Sequence, residues 1–135
     1  MNEEKGVWLR RIRGAIKVRE NRREEILNAA KELLKKIFYE NQLEIENIVS
    51  IFFTTTEDIN AEFPAYAVRE MGWKYVPVLC AREINVPNSM KGVIRVLVHA
   101  YTDKKQNEIK HQYLGETIKF RPDLMGVKND NRNEG

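Results

Sequence analysis

A chain of 135 residues, 42% apolar and 32% charged, is long enough for one domain with a real core and has an ordinary globular composition. Its 23 basic and 20 acidic residues leave a net charge of +3, too mild to demand a nucleic-acid partner. No apolar run is long enough to cross a membrane, the polar start Met1-Asn2-Glu3-Glu4-Lys5 carries no signal-peptide pattern, and one cysteine excludes an internal disulfide, so a reduced, cytoplasmic setting is expected. His99, His111 and Cys80 show none of the usual ligand spacings, so no metal is expected.

In chain order, Val7 to Arg13 predicts a strand ended by Gly14-Ala15, with Arg11 and Arg13 on one face and Arg10 on the other. Asn21 with Glu24 resembles a capping box, and Ile26, Ala30, Leu33, Leu34, Ile37 and Phe38 then predict an amphipathic helix over about 22–41. Its task is to cover a sheet. Ile48 to Phe53 predicts a second strand, running into the polar loop Thr54 to Asp58. Pro64 and Gly72 bracket a short helix. Lys74 to Leu79 predicts a third strand, with Pro77 suggesting an edge or a bulge. Val93 to Tyr101 is the fourth. Asp103 and Gln106 predict a short helix reaching His111, broken by Gly115, and Thr117 to Phe120 predicts a last strand. Residues 1–125 are expected to form one domain, and 126–135 a polar, disordered tail. The class is α/β or α+β, with a mixed sheet of about five strands, one long helix and two short ones.

Two apolar stretches carry charges in unexpected places. Val93-Ile94-Arg95-Val96-Leu97-Val98 reads as a strand buried on both faces, with Arg95 in its middle. An unpaired buried guanidinium costs several kcal/mol. Arg95 therefore needs an anion: either Glu83, at the end of Val76 to Ile84, or an anionic ligand. A purely structural ion pair would satisfy the same demand.

The set Leu9-Arg10-Arg11-Ile12-Arg13-Gly14-Ala15, Phe63-Pro64-Ala65, Val76 to Ile84 with Cys80 three before Glu83, Ile94-Arg95-Val96, and Tyr113-Leu114 followed by Arg121-Pro122-Asp123-Leu124 resembles the AroH-class, Bacillus-type chorismate mutases. The resemblance covers about residues 7–125. It implies a homotrimer with a pseudo-α/β-barrel, clefts between subunits, and the rearrangement of chorismate to prephenate without cofactor or metal. By motif position it implies that Arg13 binds a substrate carboxylate and that Arg95 meets the ether oxygen and a carboxylate. Glu83 meets the ring hydroxyl with Cys80 beside it, and Tyr113 reaches a carboxylate. A neighbouring subunit lends Phe63, Ala65 and Arg69 with the strand Val78, Leu79 and Cys80, and Arg121 lies near the cleft. Three residues depart from the family pattern: Arg11 stands where glycine is expected, Tyr66 where a relative has lysine, and Phe120 where a smaller aliphatic residue is usual.

The implied reaction is pericyclic, so it needs neither nucleophile nor proton transfer. An acceleration of about 10⁶ requires only about 8 kcal/mol. Holding the compact substrate shape and stabilising charge on the breaking ether oxygen can supply it. Two other readings start from the same residues. The basic first strand with exposed aromatics suggests an RNA- or anion-binding module. The trimeric imine deaminases share the architecture and a cleft arginine.

Overall fold

The structure is a computed structural model that describes residues 6–124. The tail expected over 126–135 lies outside those residues. Five strands and two α-helices follow in the order β1 (Trp8–Lys17), α1 (Arg23–Asn41), β2 (Ile48–Thr55), α2 (Ala65–Glu70), β3 (Val78–Arg82), β4 (Val93–Thr102) and β5 (Gln112–Tyr113). They form one sheet of order β3-β2-β4-β1-β5. β4 runs antiparallel to both β1 and β2, while β3 and β5 lie parallel to their neighbours, so the sheet is mixed and the fold is α+β.

One face of this sheet carries the core. Ile12 and Ile16 of β1, Ile48, Ile51 and Phe53 of β2, and Ile94, Val96, Val98 and Ala100 of β4 all point to it. α1 closes that face with Ile26, Ala30, Leu33, Leu34 and Ile37, which are spaced along one stripe of the helix. Gly14 marks the closest approach. A Cβ there would stand 2.8 Å from the Gln112 carbonyl oxygen and 2.9 Å from Leu33 Cδ1. The helix and the parallel partner β5 can press on β1 only because this side chain is missing. Hence Gly14-Ala15 does not end the strand as expected: both residues lie inside it, paired with Val96 and Arg95.

Other local expectations are corrected too. α1 has no side-chain cap. The side chain of Asn21 instead accepts N–H bonds from Asn60 and Ala61, each 3.0 Å, and pins that loop. The helix ends as Gln42 turns left-handed, φ 54°. Gly72, at φ +82°, stops the short second helix where it was expected. β3 begins four residues later than its pattern suggested. Pro77 has no N–H to give, so it contributes only its carbonyl to Ile51, and the two-way ladder with β2 begins at Val78. Trp73, just before it, stacks on Phe38 of α1 at 4.3 Å. The helix expected up to His111 is a single 3-10 turn, Gln106–Glu108. Thr117 to Phe120 is not a strand but part of the 3-10 segment Gly115–Phe120. There the buried Thr117 hydroxyl lies 2.7 Å from the Leu114 carbonyl and 3.0 Å from that of Ala15, which closes the turn and ties it to β1.

β4 is not buried on both faces within one chain. Ile94, Val96, Val98 and Ala100 are buried, while Arg95, Leu97 and His99 are half-open and Tyr101 is exposed. The second sheet face is covered by the 3-10 segment around Ala15 and Arg95 and open beyond it. It presents Leu9, Phe52, Leu79 and Tyr101, all large and all exposed. No helix among the described residues is long and apolar enough to cross a membrane.

Candidate active site

Register places Arg95 in a row that crosses the sheet. Ala81, Thr54, Arg95, Ala15 and Tyr113 are successive partners on β3, β2, β4, β1 and β5. Side chains in such a row share one face. Ala15 and Ala81 are small, so the row is a shallow floor with Arg95 standing in it. One residue beyond β3, Glu83 continues the ladder by donating its N–H to the Thr55 carbonyl, 2.9 Å. That turns its carboxylate to the same face. Glu83 Oε2 lies 3.2 Å from Arg95 Nε and 3.5 Å from the Thr54 hydroxyl, and Glu83 Oε1 accepts the Ile84 N–H. Phe120 lies over the Arg95 guanidinium, ring centroid 4.2 Å from Cζ. Among the described residues, no protein acceptor takes Nη1 or Nη2 of Arg95. The arginine is held at Nε and on its flat face, with its outer edge free.

Further cations gather beside it. Arg121 makes two hydrogen bonds to Asp123, 3.0 and 2.8 Å, and Tyr113 stands near enough to favour its charged form weakly. The Asp123 carboxyl is held below its usual range, first by Arg121 and more weakly by Arg13. Arg13 donates its backbone N–H to His111 Nδ1, 2.9 Å. Burial, then the charges of Arg13 and Arg121, pushes the His111 pKa below its ordinary value. The neutral ring is thus the form that accepts this bond. Arg95, Arg13, Arg121 and Tyr113 surround the open row with Glu83 and Asp123 as the local counter-charges. Such a surface suits a small dianion with a hydroxyl.

The other expected site residues lie apart from this group. Ala65, Arg69 and Val78 line a groove of about 610 Å³ with Val68, Trp73 and Val76. Arg69 rests over the ring of Tyr66, 5.0 Å from Cζ. Phe63 is 62% exposed and meets Tyr66 edge-on. Cys80, expected beside Glu83, is turned the other way: it pairs with the buried Phe53 on the helix-covered face, with the Ala65 backbone N–H near enough to favour its thiolate slightly. Burial is the larger influence and pushes the thiol pKa up. Leu79 points to the open part of the second face, 61% exposed. No ion pair or hydrogen bond among the described residues joins Arg69 to Arg13, Arg95, Tyr113 or Arg121.

Thr54 and the Phe120 contact escaped the reading of the sequence. Thr54 sits where a polar loop was expected, and only the β2–β4 register reveals it opposite Arg95. Phe120 was noted as unusual, but in a strand it would have had no reason to stack on an arginine.

A mixed sheet with one helix-covered face and, on the other, Arg95 with its outer edge open beside Arg13, Arg121 and Tyr113 offers a binding surface for a small anion, with no nucleophile-and-base pair in the Arg95 row. The model of the family described as Chorismate mutase type I matches residues 9–124. The chain belongs to that family, isomerases that convert chorismate to prephenate. It is 45% identical over 124 residues to the chorismate mutase AroH of Bacillus subtilis, covering 91% of this chain and 98% of that one. It is 45% identical over 121 residues to the AroH protein of Thermus thermophilus, covering 89% and 99%. A solved chorismate mutase from Clostridium thermocellum superposes with a TM-score of 0.78 at 44% identity, over 82% of this chain and 96% of that one. The RNA-binding and imine-deaminase readings fall with this match.

Proposed function

We propose that residues 1–125 act as one chorismate mutase domain whose Arg95 stabilises the transition state of the rearrangement to prephenate. The observation that carries this is the free outer edge of Arg95, which is held at Nε by Glu83 and on its flat face by Phe120. The substrate's ether oxygen meets that edge. As the carbon–oxygen bond breaks, negative charge grows there, and a fixed cation stabilises it more than it stabilises the ground state. Arg13 and Tyr113 take a carboxylate, with Arg121 at the mouth, and paired hydrogen bonds from guanidinium hold the dianion in its compact shape. Glu83 accepts the ring hydroxyl's hydrogen bond through the oxygen it does not share with Arg95. No cofactor or metal is assigned a role.

The groove at Ala65, Arg69 and Val78, with Phe63, Leu79 and Cys80, is the other half of a cleft completed by a second copy. Two facts support this: no ion pair or hydrogen bond among the described residues joins the two groups, and the sheet's second face exposes the large apolar side chains Leu9, Phe52, Leu79 and Tyr101. The assembly proposed is a homotrimer, in line with the family resemblance. A single half-buried thiol and no disulfide suit a cytoplasmic setting. The test uses the near-ultraviolet absorbance of chorismate, which falls as prephenate forms, together with light scattering. Inactive Arg69→Ala and Arg95→Ala chains, mixed and reassembled, should regain part of the activity, because some clefts then carry neither lesion. A fully active monomer would overturn the shared cleft.

A further inference from the structure

We infer that Phe120 is a positioning residue for Arg95: its ring fixes the plane of the guanidinium so that the outer edge faces the reacting ether oxygen. The inference rests on the role proposed for Arg95. Three observations on different elements carry it. Among the described residues the guanidinium has one charged contact, Nε–Oε2 at 3.2 Å to Glu83, and one contact leaves rotation about it free. The ring of Phe120 covers the flat face at 4.2 Å, within the range of a cation–π contact, and removes that rotation. Phe120 is itself held. It ends the 3-10 segment whose Thr117 hydroxyl, fully buried, is fastened to the carbonyls of Ala15 and Leu114. Ala15 is also the direct strand partner of Arg95. The same backbone position therefore anchors both partners of the stack.

A planar cation that is already aimed loses nothing to reorientation as charge develops on the substrate. An arginine free to swing toward water or fully onto Glu83 would have to be brought back. The ring also displaces water from one side of the guanidinium, which strengthens its field at short range. An aliphatic side chain at position 120 could exclude water but has no π face to fix the plane.

The experiment compares Phe120→Leu, Phe120→Met and Phe120→Tyr, each in the native chain and in a chain whose Arg95 is replaced by citrulline, the neutral isostere. Folding is checked by thermal melting, and Met keeps most of the volume in case Leu loosens the segment. In the native background Leu and Met should lower kcat roughly two- to thirtyfold, the range a cation–π contact is worth, with KM changed much less. Tyrosine keeps the π face and should restore kcat. With citrulline at 95 the loss from Leu or Met should vanish, because the ring no longer has a cation to aim. A rise in KM with kcat unchanged would make Phe120 a plain wall of the cleft and overturn the inference. So would an equal loss with and without the charge. If citrulline alone leaves turnover intact, the role of Arg95 itself fails. If citrulline is severe and Phe120→Leu harmless, only the positioning role fails.

Discussion

Replacing Arg95 by citrulline keeps its shape and most of its hydrogen bonds and removes only the charge. The structure sets the size of two competing effects. The ion pair with Glu83 is one contact at 3.2 Å between side chains 41% and 31% exposed, neither bidentate nor desolvated. Such a pair is worth at most about 1 kcal/mol. Against a typical total stability of about 5–15 kcal/mol, that loss leaves nearly every molecule folded. Melting should shift by only about 2–5 °C. The catalytic effect should be far larger, because one donor aimed at a developing oxyanion is worth about 100- to 1,000-fold in turnover. KM should move less than kcat, since Arg13 and Tyr113 still hold a carboxylate on the reading proposed above. The assay is the absorbance decay of chorismate at saturating substrate, beside a thermal melt of the same sample. Near-normal turnover in a folded citrulline protein would refute electrostatic stabilisation and leave conformational restraint as the source of rate. Activity that merely tracked the folded fraction would make the Glu83 pair structural.

Three further outcomes are expected. Glu83→Gln should be milder than Glu83→Ala, because an amide oxygen still accepts the ring hydroxyl's hydrogen bond; two equally dead variants would show that the charge is the essential property. Gly14→Ala should destabilise by about 1–3 kcal/mol, since its Cβ would meet the Gln112 backbone oxygen at 2.8 Å, and an unchanged melting temperature would show that β5 yields freely. His111, whose pKa is lowered by burial and then by Arg13 and Arg121, binds its proton less readily folded than unfolded, so stability should fall as pH drops below about 6.5. His111→Asn should flatten that slope in a melting series from neutral to acid pH, and a slope left unaltered would assign the acid sensitivity elsewhere.

The long helix, the two central strands and their order of appearance were legible because strong periodic patterns produced them. Ile26 to Ile37 marks one helical stripe, and nothing competes with it. The pieces that went wrong are short, and tertiary contacts decide them. Thr117 to Phe120 is β-prone in isolation, but a buried threonine hydroxyl fastened to two carbonyls bends it into a 3-10 turn. Pro77 shifts β3 along the chain by withholding one N–H. The charged floor of the site was legible in part. An arginine amid valines announces itself, and Glu83 was the natural partner to expect. Thr54 and the stacked face of Phe120 were not legible, because both depend on register between elements distant in sequence.

The apolar pattern of β4 predicted burial on both faces, while one chain buries the even-numbered side and, of the odd-numbered residues, only Val93. The discrepancy is informative. Leu97 and Tyr101 share the open face with Leu9, Phe52 and Leu79, so the excess apolar character extends over four neighbouring strands rather than one. A sequence records the surroundings of the working molecule, and a lone chain shows only some of them. On the trimeric assembly proposed above, this face is covered by other copies. The charged row at Arg95 then lies at the border of a dry interface instead of in open water. That border is where a fixed cation has most effect, because burial lowers the local dielectric while the substrate can still enter. The open face and the free arginine edge are therefore two aspects of one design: without the covering copies, Arg95 would remain a half-solvated surface charge, and its field at the ether oxygen would be weak.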